Sequence, residues 1–300
     1  MSVPPVHVPV LLDEVIHHLA PGTGGRYIDC TVGLGGHSEA ILLHSEPDGR
    51  LLGLDADPAA LEVAQARLVR FGPRVTLVHG NFEGLDEHAR AHGFLDVDGI
   101  LFDLGVSSLQ FGRSGRGFTF RDSEPLDMRM DPSHGPTAAD LLASLSEREL
   151  ADVIYQYGEE RAARRIARSI VYHRERRPLM TTDDLVGAVL SAVGGQRGRI
   201  HPATRTFQAI RIAVNRELEV LPRALDRAAG LLGPGGRLVV ISFHSLEDRI
   251  VKRFMQERAS SPTPLPLHIL TRRPITPSPH ELDANPRSRS AKLRACQRAA

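Results

Sequence analysis

The chain has 300 residues, which is enough for one large or two ordinary domains with a sizeable core. Its composition, 41% hydrophobic and 24% charged, is typical of a soluble globular protein, and no apolar run is long enough to predict a membrane span. The first residues, MSVPPVHVPVLLDEV, do not read as a secretory signal. Two cysteines, Cys30 and Cys296, exclude a disulfide framework and a four-cysteine zinc site and favour a cytoplasmic location.

The most informative stretch runs from Tyr27 to Asp57. Tyr27–Cys30 predicts a short buried strand, a helix is expected to open near His37, and Arg50–Leu54 predicts a second strand that stops at Asp55. Between the first strand and the helix lie three glycines, Gly33, Gly35 and Gly36. Glycines let the backbone approach a ligand, and a carboxylate about 20 residues on can accept hydrogen bonds from ribose hydroxyls. The order predicts a nucleoside-containing cofactor.

The spacing of the glycines separates two kinds of cofactor. The dinucleotide motif is G-x-G-x-x-G, whereas Gly33, Gly35 and Ser38 give G-x-G-x-x-S, without the third glycine that packs helix against strand. Asp29 adds a carboxylate at the end of the first strand. S-adenosylmethionine carries an ammonium and a sulfonium and no pyrophosphate, so this acidic turn favours it over NAD.

Later strands extend the same pattern. Arg74–Val78, Asp98–Asp103 and Arg237–Phe243 are predicted as strands three, four and five, separated by helices. Alternation of strands and helices predicts an α/β fold with a doubly wound parallel sheet, whose ligands lie beyond the carboxyl ends of the strands. The residues expected at that edge are Asp29, Asp55, Phe82 and Asp103.

Between strands four and five the pattern becomes helical. Phe111–Pro136 predicts an irregular loop, Thr137–Val193 is nearly all helical, and Ala203–Leu232 predicts one long helix with a possible break at Pro222. Two pairs have capping-box spacing, Ser146 with Glu149 and Thr181 with Asp184. We expect a discontinuous domain of residues 1–112 plus 207–300 and a helical insert of residues 113–206.

Two C-terminal segments have no regular pattern. Ser261–Pro286 contains seven prolines and is expected to be extended without regular structure. The basic tail Arg287–Arg298 fits two interpretations, an RNA contact or a disordered solvated end.

Positive charge is concentrated in the insert. Gly158–Arg216 contains twelve arginines against five acidic residues, and few arginines have an acidic partner at i+4. One interpretation is a solvated helix face without a binding role; the alternative is a surface that binds nucleic-acid phosphates. The substrate-binding candidates are Arg165, Arg168, His201, Arg205 and Arg211, with Arg197 and Arg199 nearby. Phe207 is expected in the core rather than as a stacking platform.

Ser242–Asp248 follows strand five and places His244 at the same edge. No G-x-S-x-G elbow accompanies it, so a structural or substrate-contact role is expected. The sequence has neither H-E-x-x-H nor C-x-x-C, and no metal is expected.

Seven segments in order carry a family resemblance: HVPVLLDEV, TVGLGGHS, DGILFDLGVSS, RGFTF…PLDMRMD, YGEERAARRIARSI, HPATRTFQAIRIAVN and ISFHSLEDRIVKRFM. They resemble the bacterial ribosomal RNA small subunit methyltransferase H family over nearly the whole chain. The resemblance implies a class I S-adenosylmethionine-dependent methyltransferase with a Rossmann-like sheet and an inserted helical domain for RNA recognition. It further implies methylation of N4 of a P-site cytosine in the decoding centre of 16S rRNA.

Carried over to matching positions, the resemblance implies these cofactor contacts: Gly35, Gly36, His37, Asp55, Phe82, Asp103 and Gln110. Of these, Gln110 comes from the resemblance alone. Asp103 is also the candidate catalytic residue, although the Pro-Pro-aromatic motif of many amino-group methyltransferases is missing after it. The expected partner is 16S rRNA or the small ribosomal subunit, with a homodimer left open. The competing hypotheses are a non-catalytic RNA-binding protein and a nicotinamide-dependent oxidoreductase.

Overall fold

The computed structural model describes residues 8–112, 115–195, 201–260 and 266–300. It divides into a sheet unit, Met1–Ser107 with Leu218–Ala300, and a helical unit, Ser108–Glu217. The sequence placed these boundaries at 112/113 and 206/207. The helical unit extends further because the helix at Thr204–Asn215 contributes to its core, together with Ala203.

One seven-stranded sheet forms the sheet unit, in the order β3-β2-β1-β4-β5-β7-β6. The strands are β1 Arg26–Asp29, β2 Arg50–Asp55, β3 Val75–His79, β4 Val97–Asp103, β5 Leu232–Ser242, β6 Leu267–Ile269 and β7 Lys292–Arg298. Strands β1 to β5 are parallel to one another, whereas β7 is antiparallel to both β5 and β6. The strand order reverses at β1 and β4, which makes their carboxyl ends the switch point where such sheets bind ligands. The predicted doubly wound sheet is confirmed.

Helices accompany the sheet on both faces. They are α1 Leu12–Leu19, α2 Gly36–His44, α3 Pro58–Leu68, α4 Leu85–Ala91, α11 Glu217–Leu231, α12 Ser245–Ser260 and α13 Pro279–Ala284, with 3₁₀ segments at Val69–Arg74, Phe82–Gly84 and Pro286–Ser290. The side chains of successive strand residues lie on opposite faces of the sheet. Ile28 and Phe102 belong to the core under α4, α11 and α12, whereas Tyr27 and Leu101 belong to the core under α1 and α2. Burial on both faces explains the continuous apolar runs.

The C-terminal segments are more regular than expected. Within the described residues, β6 and α13 lie in the proline-rich stretch predicted to be irregular, while residues 261–265 lie outside the description. The basic tail forms β7, so its interpretation as a disordered end is wrong. Arg294, 7% exposed, places its guanidinium Nε 2.6 Å from Asp248 Oδ1. The strand was not recognised in the sequence because its charged residues interrupt the apolar pattern and are paired only in the folded chain.

The helical unit contains α5 Ser108–Phe111, α6 Ala138–Ser144, α7 Glu147–Gly158, α8 Ala163–Arg174, α9 Thr182–Val193 and α10 Thr204–Asn215. Residues 115–136 form the expected irregular loop. Both predicted capping boxes are confirmed, and Thr137 with Asp140 forms a third. The predicted single helix over Ala203–Leu232 is wrong: α10 ends at Asn215, and Arg216 caps it with a left-handed φ of 51°. The break expected at Pro222 is wrong as well, because Pro222 lies inside α11.

Candidate cofactor and active site

The glycine-rich turn after β1 depends on backbone conformations that disfavour side chains. Gly33 and Gly35 have φ of 53° and 78°, in the left-handed region. At Gly36, a Cβ atom would overlap the ring of Pro9. Gly33 N donates to Asp55 Oδ2 at 2.7 Å, so the turn is attached directly to the end of β2. The local sequence thus builds a turn that holds backbone close to the predicted ligand position.

Ser38 explains the missing third glycine. Its hydroxyl donates to Asp29 Oδ2 at 2.6 Å, and both residues are fully buried. Asp29 Oδ1 accepts from Thr31 N at 3.1 Å. Asp29 ends β1 at the expected edge of the sheet, but its side chain does not open into the crevice, because it is enclosed and hydrogen-bonded inside the protein. Burial raises the pKa of Asp29 to about 6, and the charge of Asp29 helps to raise the pKa of Asp103.

Asp55 ends β2 as predicted. Besides Gly33 N, it accepts a hydrogen bond from Asp57 N, at 2.8 Å to Oδ1. Each carboxylate oxygen has two lone pairs, so both retain capacity for a further donor such as a ribose hydroxyl. Burial raises the pKa of Asp55 to about 6, against the opposing effect of the two backbone hydrogen bonds.

Asp103 ends β4, where its backbone N–H donates to Thr31 Oγ1 at 2.6 Å. Its Oδ2 lies 3.5 Å from His37 Nδ1, whereas its buried Oδ1 has no hydrogen-bond partner within the described part of the chain. Burial, reinforced by the charges of Asp29 and Glu247, holds the pKa of Asp103 well above its usual range. A buried carboxylate oxygen without a donor is costly, and a cationic or N–H group bound there relieves that cost.

Two further predicted cofactor contacts have different settings. Phe82 opens the 3₁₀ segment after β3 and packs edge-to-face on Phe102, with ring centroids 5.5 Å apart. Gln110 lies in α5 of the helical unit and is 3% exposed. The roles of both stay predictions.

His244 lies at the start of α12, where Glu247 was missed by sequence reasoning. Glu247 Oε2 accepts from Phe243 N at 2.8 Å and from His244 N at 3.2 Å. His244 Nδ1 accepts from Glu247 N at 3.4 Å. The acid three residues after the helix cap is the capping-box signal that could have identified it. This geometry gives His244 the structural role of a helix cap.

The arginines of the helical unit separate into two groups. Those engaged inside the unit include Arg211, whose guanidinium forms two 2.8 Å hydrogen bonds to Glu217, and Arg174, which donates to the carbonyls of Leu142 and Leu145. The exposed group on or beside α8 is Arg161, Arg164, Arg165 and Arg168, of which Arg168 lies 3.6 Å from Glu147.

The remaining substrate candidates lie in or beside α10. Arg205 is exposed and donates to the Glu159 carbonyl at 3.3 Å. The ring of His201 packs 4.8 Å from that of Phe120, which also contacts Phe207. Phe207 is 5% exposed, so its expected core position is confirmed. Arg197 and Arg199 lie outside the described residues.

Among the described residues, no helix is both long and apolar enough to cross a membrane. A sequence model of the MraW methylase family matches residues 5–299. A ribosomal RNA small subunit methyltransferase H of Dehalococcoides mccartyi is 53% identical, over 97% of this chain and 86% of that protein. The protein of the same name from Thermomicrobium roseum is 52% identical, over 98% and 94%. A solved S-adenosylmethionine-dependent O-methyltransferase from Thermotoga maritima aligns with 100% of this chain and 69% of that one, at a TM-score of 0.44 and 12% identity.

The residues fit S-adenosylmethionine as cofactor. Asp55 has acceptor capacity for a ribose, and Asp103 Oδ1, which has no partner among the described residues, suits an ammonium or an amine N–H donor. The serine at the third glycine position and the family match both contradict the nicotinamide-dependent alternative. The cofactor is S-adenosylmethionine, and the chain belongs to the MraW methylase family.

Proposed function

We propose that this protein methylates N4 of a P-site cytosine in the decoding centre of 16S rRNA. The observation that carries the proposal is the identity of 52–53%, over nearly the full length, to proteins named for methylation of small-subunit rRNA. The N4 target comes from the resemblance of the sequence motifs. Asp103, at the end of β4, supports an amino group as the site of methylation, because its Oδ1 has no partner in the described residues and can accept an N–H of that group.

Asp103 is the residue we assign to the amine. The lone pair of a cytosine amine is delocalised into the ring, so the amine is a poor nucleophile and must be held with its lone pair towards the methyl group. S-adenosylmethionine supplies that methyl group on a positively charged sulfur. Asp103 Oδ1 accepts an N–H of the amine and then takes the proton that methylated nitrogen releases. The raised pKa of Asp103 makes its carboxylate a stronger base than a solvent-exposed one.

The glycine turn and Asp55 hold the cofactor in this proposal. Gly35 and Gly36 let the backbone approach the cofactor closely. Asp55 accepts hydrogen bonds from the ribose of the cofactor, and Phe82, which follows β3, contacts the base of the cofactor. His37 contacts Asp103 from α2 and fixes its orientation. Gln110 adds a contact that the resemblance alone suggests.

Cofactor affinity is expected to depend on pH through Asp55. In the free protein its pKa is about 6, and ribose hydroxyls donate more strongly to the ionised carboxylate than to its protonated form. Binding therefore favours ionisation, so affinity falls as pH falls: a single such group makes Kd at pH 5 weaker than at pH 7 by up to about tenfold. Calorimetry across this range measures the effect. In Asp55→Asn the component near pH 6 should be absent; an unchanged profile would contradict the assignment.

The exposed arginines of α8 form the proposed phosphate-binding surface, which consists of Arg161, Arg164, Arg165 and Arg168. Their exposure favours phosphate contact over a packing role, and Arg165 and Arg168 are three residues apart on one helix face. His201, Arg205 and Arg211 remain secondary candidates, since each already has contacts within the helical unit.

The double change Arg165→Ala with Arg168→Ala is expected to weaken binding to 16S rRNA. Loss of two phosphate contacts should lower the slope of log K against log salt by about 1.5. Filter binding at several salt concentrations measures this slope, and cofactor affinity should stay within about twofold.

A matched control removes two positive charges from α12, Lys252→Ala with Arg253→Ala, both exposed in the sheet unit. Equal loss of slope in this control would point to total charge rather than the α8 surface. Equal loss of cofactor affinity in the α8 variant would contradict the proposed division of labour between the units.

The function itself is tested by transfer of labelled methyl groups. Small-subunit particles and free 16S rRNA from a strain lacking the enzyme are incubated with the protein and labelled S-adenosylmethionine. We expect the label in RNA from at least one of these substrates. Binding of RNA without incorporation into either would favour the alternative, a non-catalytic RNA-binding protein that retains the cofactor fold.

A further inference from the structure

We propose that Glu281 and Asn285, at the two ends of α13, are positioning residues for the cofactor site. They hold the segment Val8–Leu11 over the glycine turn, and this segment in turn orients His37 beside Asp103. All of these residues belong to the sheet unit. The inference concerns cofactor binding and does not depend on which RNA atom is methylated.

The first step is the attachment of the N-terminal segment to α13. Leu11 N donates to Glu281 Oε1 at 2.8 Å, and Asn285 Nδ2 donates to the carbonyl of Val8 at 3.2 Å. Both ends of the four-residue segment are therefore tied to a helix some 270 positions later in the chain. Leu11 has φ 52° and ψ 40°, a left-handed conformation that disfavours leucine, so its geometry requires external support.

The capping pattern of α13 shows that Glu281 serves this attachment. Ser278 caps α13 and Glu281 occupies the third helical position, which is the sequence signature of a capping box. At α6, α7 and α9 the equivalent acid closes the box by accepting the N–H of its cap residue. In α13 the Ser278 hydroxyl accepts from Glu281 N at 3.2 Å, but Glu281 Oε1 accepts from Leu11 N instead. The carboxylate is committed to the segment rather than to its own helix.

The second step joins the segment to the glycine turn. The ring of Pro9 fills the space that a side chain at Gly36 would need. The carbonyl of Val10 accepts from His37 Nε2 at 2.9 Å. Because a carbonyl only accepts, Nε2 must carry the proton, which fixes the orientation of the imidazole and turns Nδ1 away from Val10.

The third step connects His37 to the reacting end of the site. His37 is 5% exposed, and its Nδ1 lies 3.5 Å from Asp103 Oδ2. The imidazole thus lies between the Val10 carbonyl and the Asp103 side chain; Nδ1 can pair with Oδ2 only when a proton is carried by Asp103 or by Nδ1 as well as Nε2. Displacement of Val10 would release the ring and leave Asp103 less well oriented for the cofactor ammonium or the amine. The contacts form one continuous path from α13 to Asp103.

The test measures S-adenosylmethionine affinity by calorimetry, together with KM and kcat. Glu281→Ala should weaken cofactor binding and raise the KM for the cofactor by about 5- to 20-fold, with a smaller fall in kcat because Asp103 is less well oriented. Glu281→Gln keeps an acceptor oxygen for Leu11 N and should stay within about twofold of the parent protein. Asn285→Ala, which removes the second attachment, should show a smaller loss in the same direction. Asp283→Ala, an exposed acid on the same helix, is the matched control and should change nothing.

A double-mutant cycle separates positioning from a general loss of stability. In a His37→Ala background the path is already interrupted, so Glu281→Ala should cause less than about twofold further loss of affinity. The same 5- to 20-fold loss in that background would overturn the proposal. A lowered melting temperature in Glu281→Ala without change in cofactor affinity would also overturn it. If Glu281→Ala does not fold, Asn285→Ala in both backgrounds provides the same comparison. Each readout uses the cofactor, so failure here would leave the proposed RNA target untouched.

Discussion

Asp103→Asn is expected to lower the rate of methyl transfer by about 10²- to 10³-fold, within the range for loss of a general base. The change keeps the size of the side chain but removes the charge and the basicity of Oδ1, a buried oxygen with no partner among the described residues. Single-turnover assays with saturating cofactor and RNA measure the chemical step separately from binding.

Asp96→Asn provides the matched control. Asp96 directly precedes β4, has a side chain 72% exposed, and has φ of 49°, which asparagine tolerates. It should retain full activity. If Asp103→Asn instead bound cofactor weakly but reacted at the normal rate once saturated, Asp103 would serve the cofactor ammonium and not the amine.

Asp55→Ala should weaken S-adenosylmethionine binding by about 1–3 kcal/mol, the scale of hydrogen bonds to a charged group. The substitution removes the proposed acceptor for the ribose and also the two hydrogen bonds that hold Gly33 N and Asp57 N. Isothermal calorimetry gives this difference directly.

Asp13→Ala, which removes an exposed acid from the first turn of α1, is the corresponding control and should leave the affinity unchanged. RNA affinity measured by filter binding should be the same in both variants. An unchanged cofactor Kd in Asp55→Ala would contradict the ribose assignment.

The parallel part of the sheet could be predicted because each strand is recognisable from its own apolar residues. Uninterrupted apolar strands alternate with helices along the sequence. Asp55 and Asp103 could be predicted as site residues because each stands at the end of such a strand. The antiparallel edge could not be predicted, because β7 alternates apolar residues with charges that only the fold pairs, as Arg294 with Asp248 shows. A strand whose charges are neutralised by distant residues has the sequence of a basic tail.

Charge composition likewise showed where the arginines are concentrated, but not which of them are exposed to bind phosphate. Arg174 and Arg211 lie in the same basic stretch as Arg165, yet they are engaged by carbonyls and by Glu217. Only three-dimensional contacts distinguish such residues from an exposed surface. Long-range contacts also determine the attachment of Val8–Leu11 to α13, for which the sequence shows no signal beyond the capping signature of Ser278 and Glu281.

Gln110 and the role of His37 came from the resemblance of motifs and not from pattern or spacing. The structure adds a physical setting for His37, whose two ring nitrogens face the Val10 carbonyl and Asp103. For Gln110 it adds burial within α5. Its contact with the cofactor remains a prediction, which Gln110→Ala would test through cofactor affinity.

Identification of the methylated nucleoside tests the central claim most directly. RNA from the labelled methyl-transfer reaction is digested to nucleosides, separated and analysed by mass spectrometry, with Asp103→Asn protein as the negative control. The account predicts that the label appears as N4-methylcytidine, and that oligonucleotide fragments of the same RNA carry it at a single position in the decoding centre of 16S rRNA. Label in a ring-carbon or ribose methyl group would contradict the assignment of Asp103 to an amine.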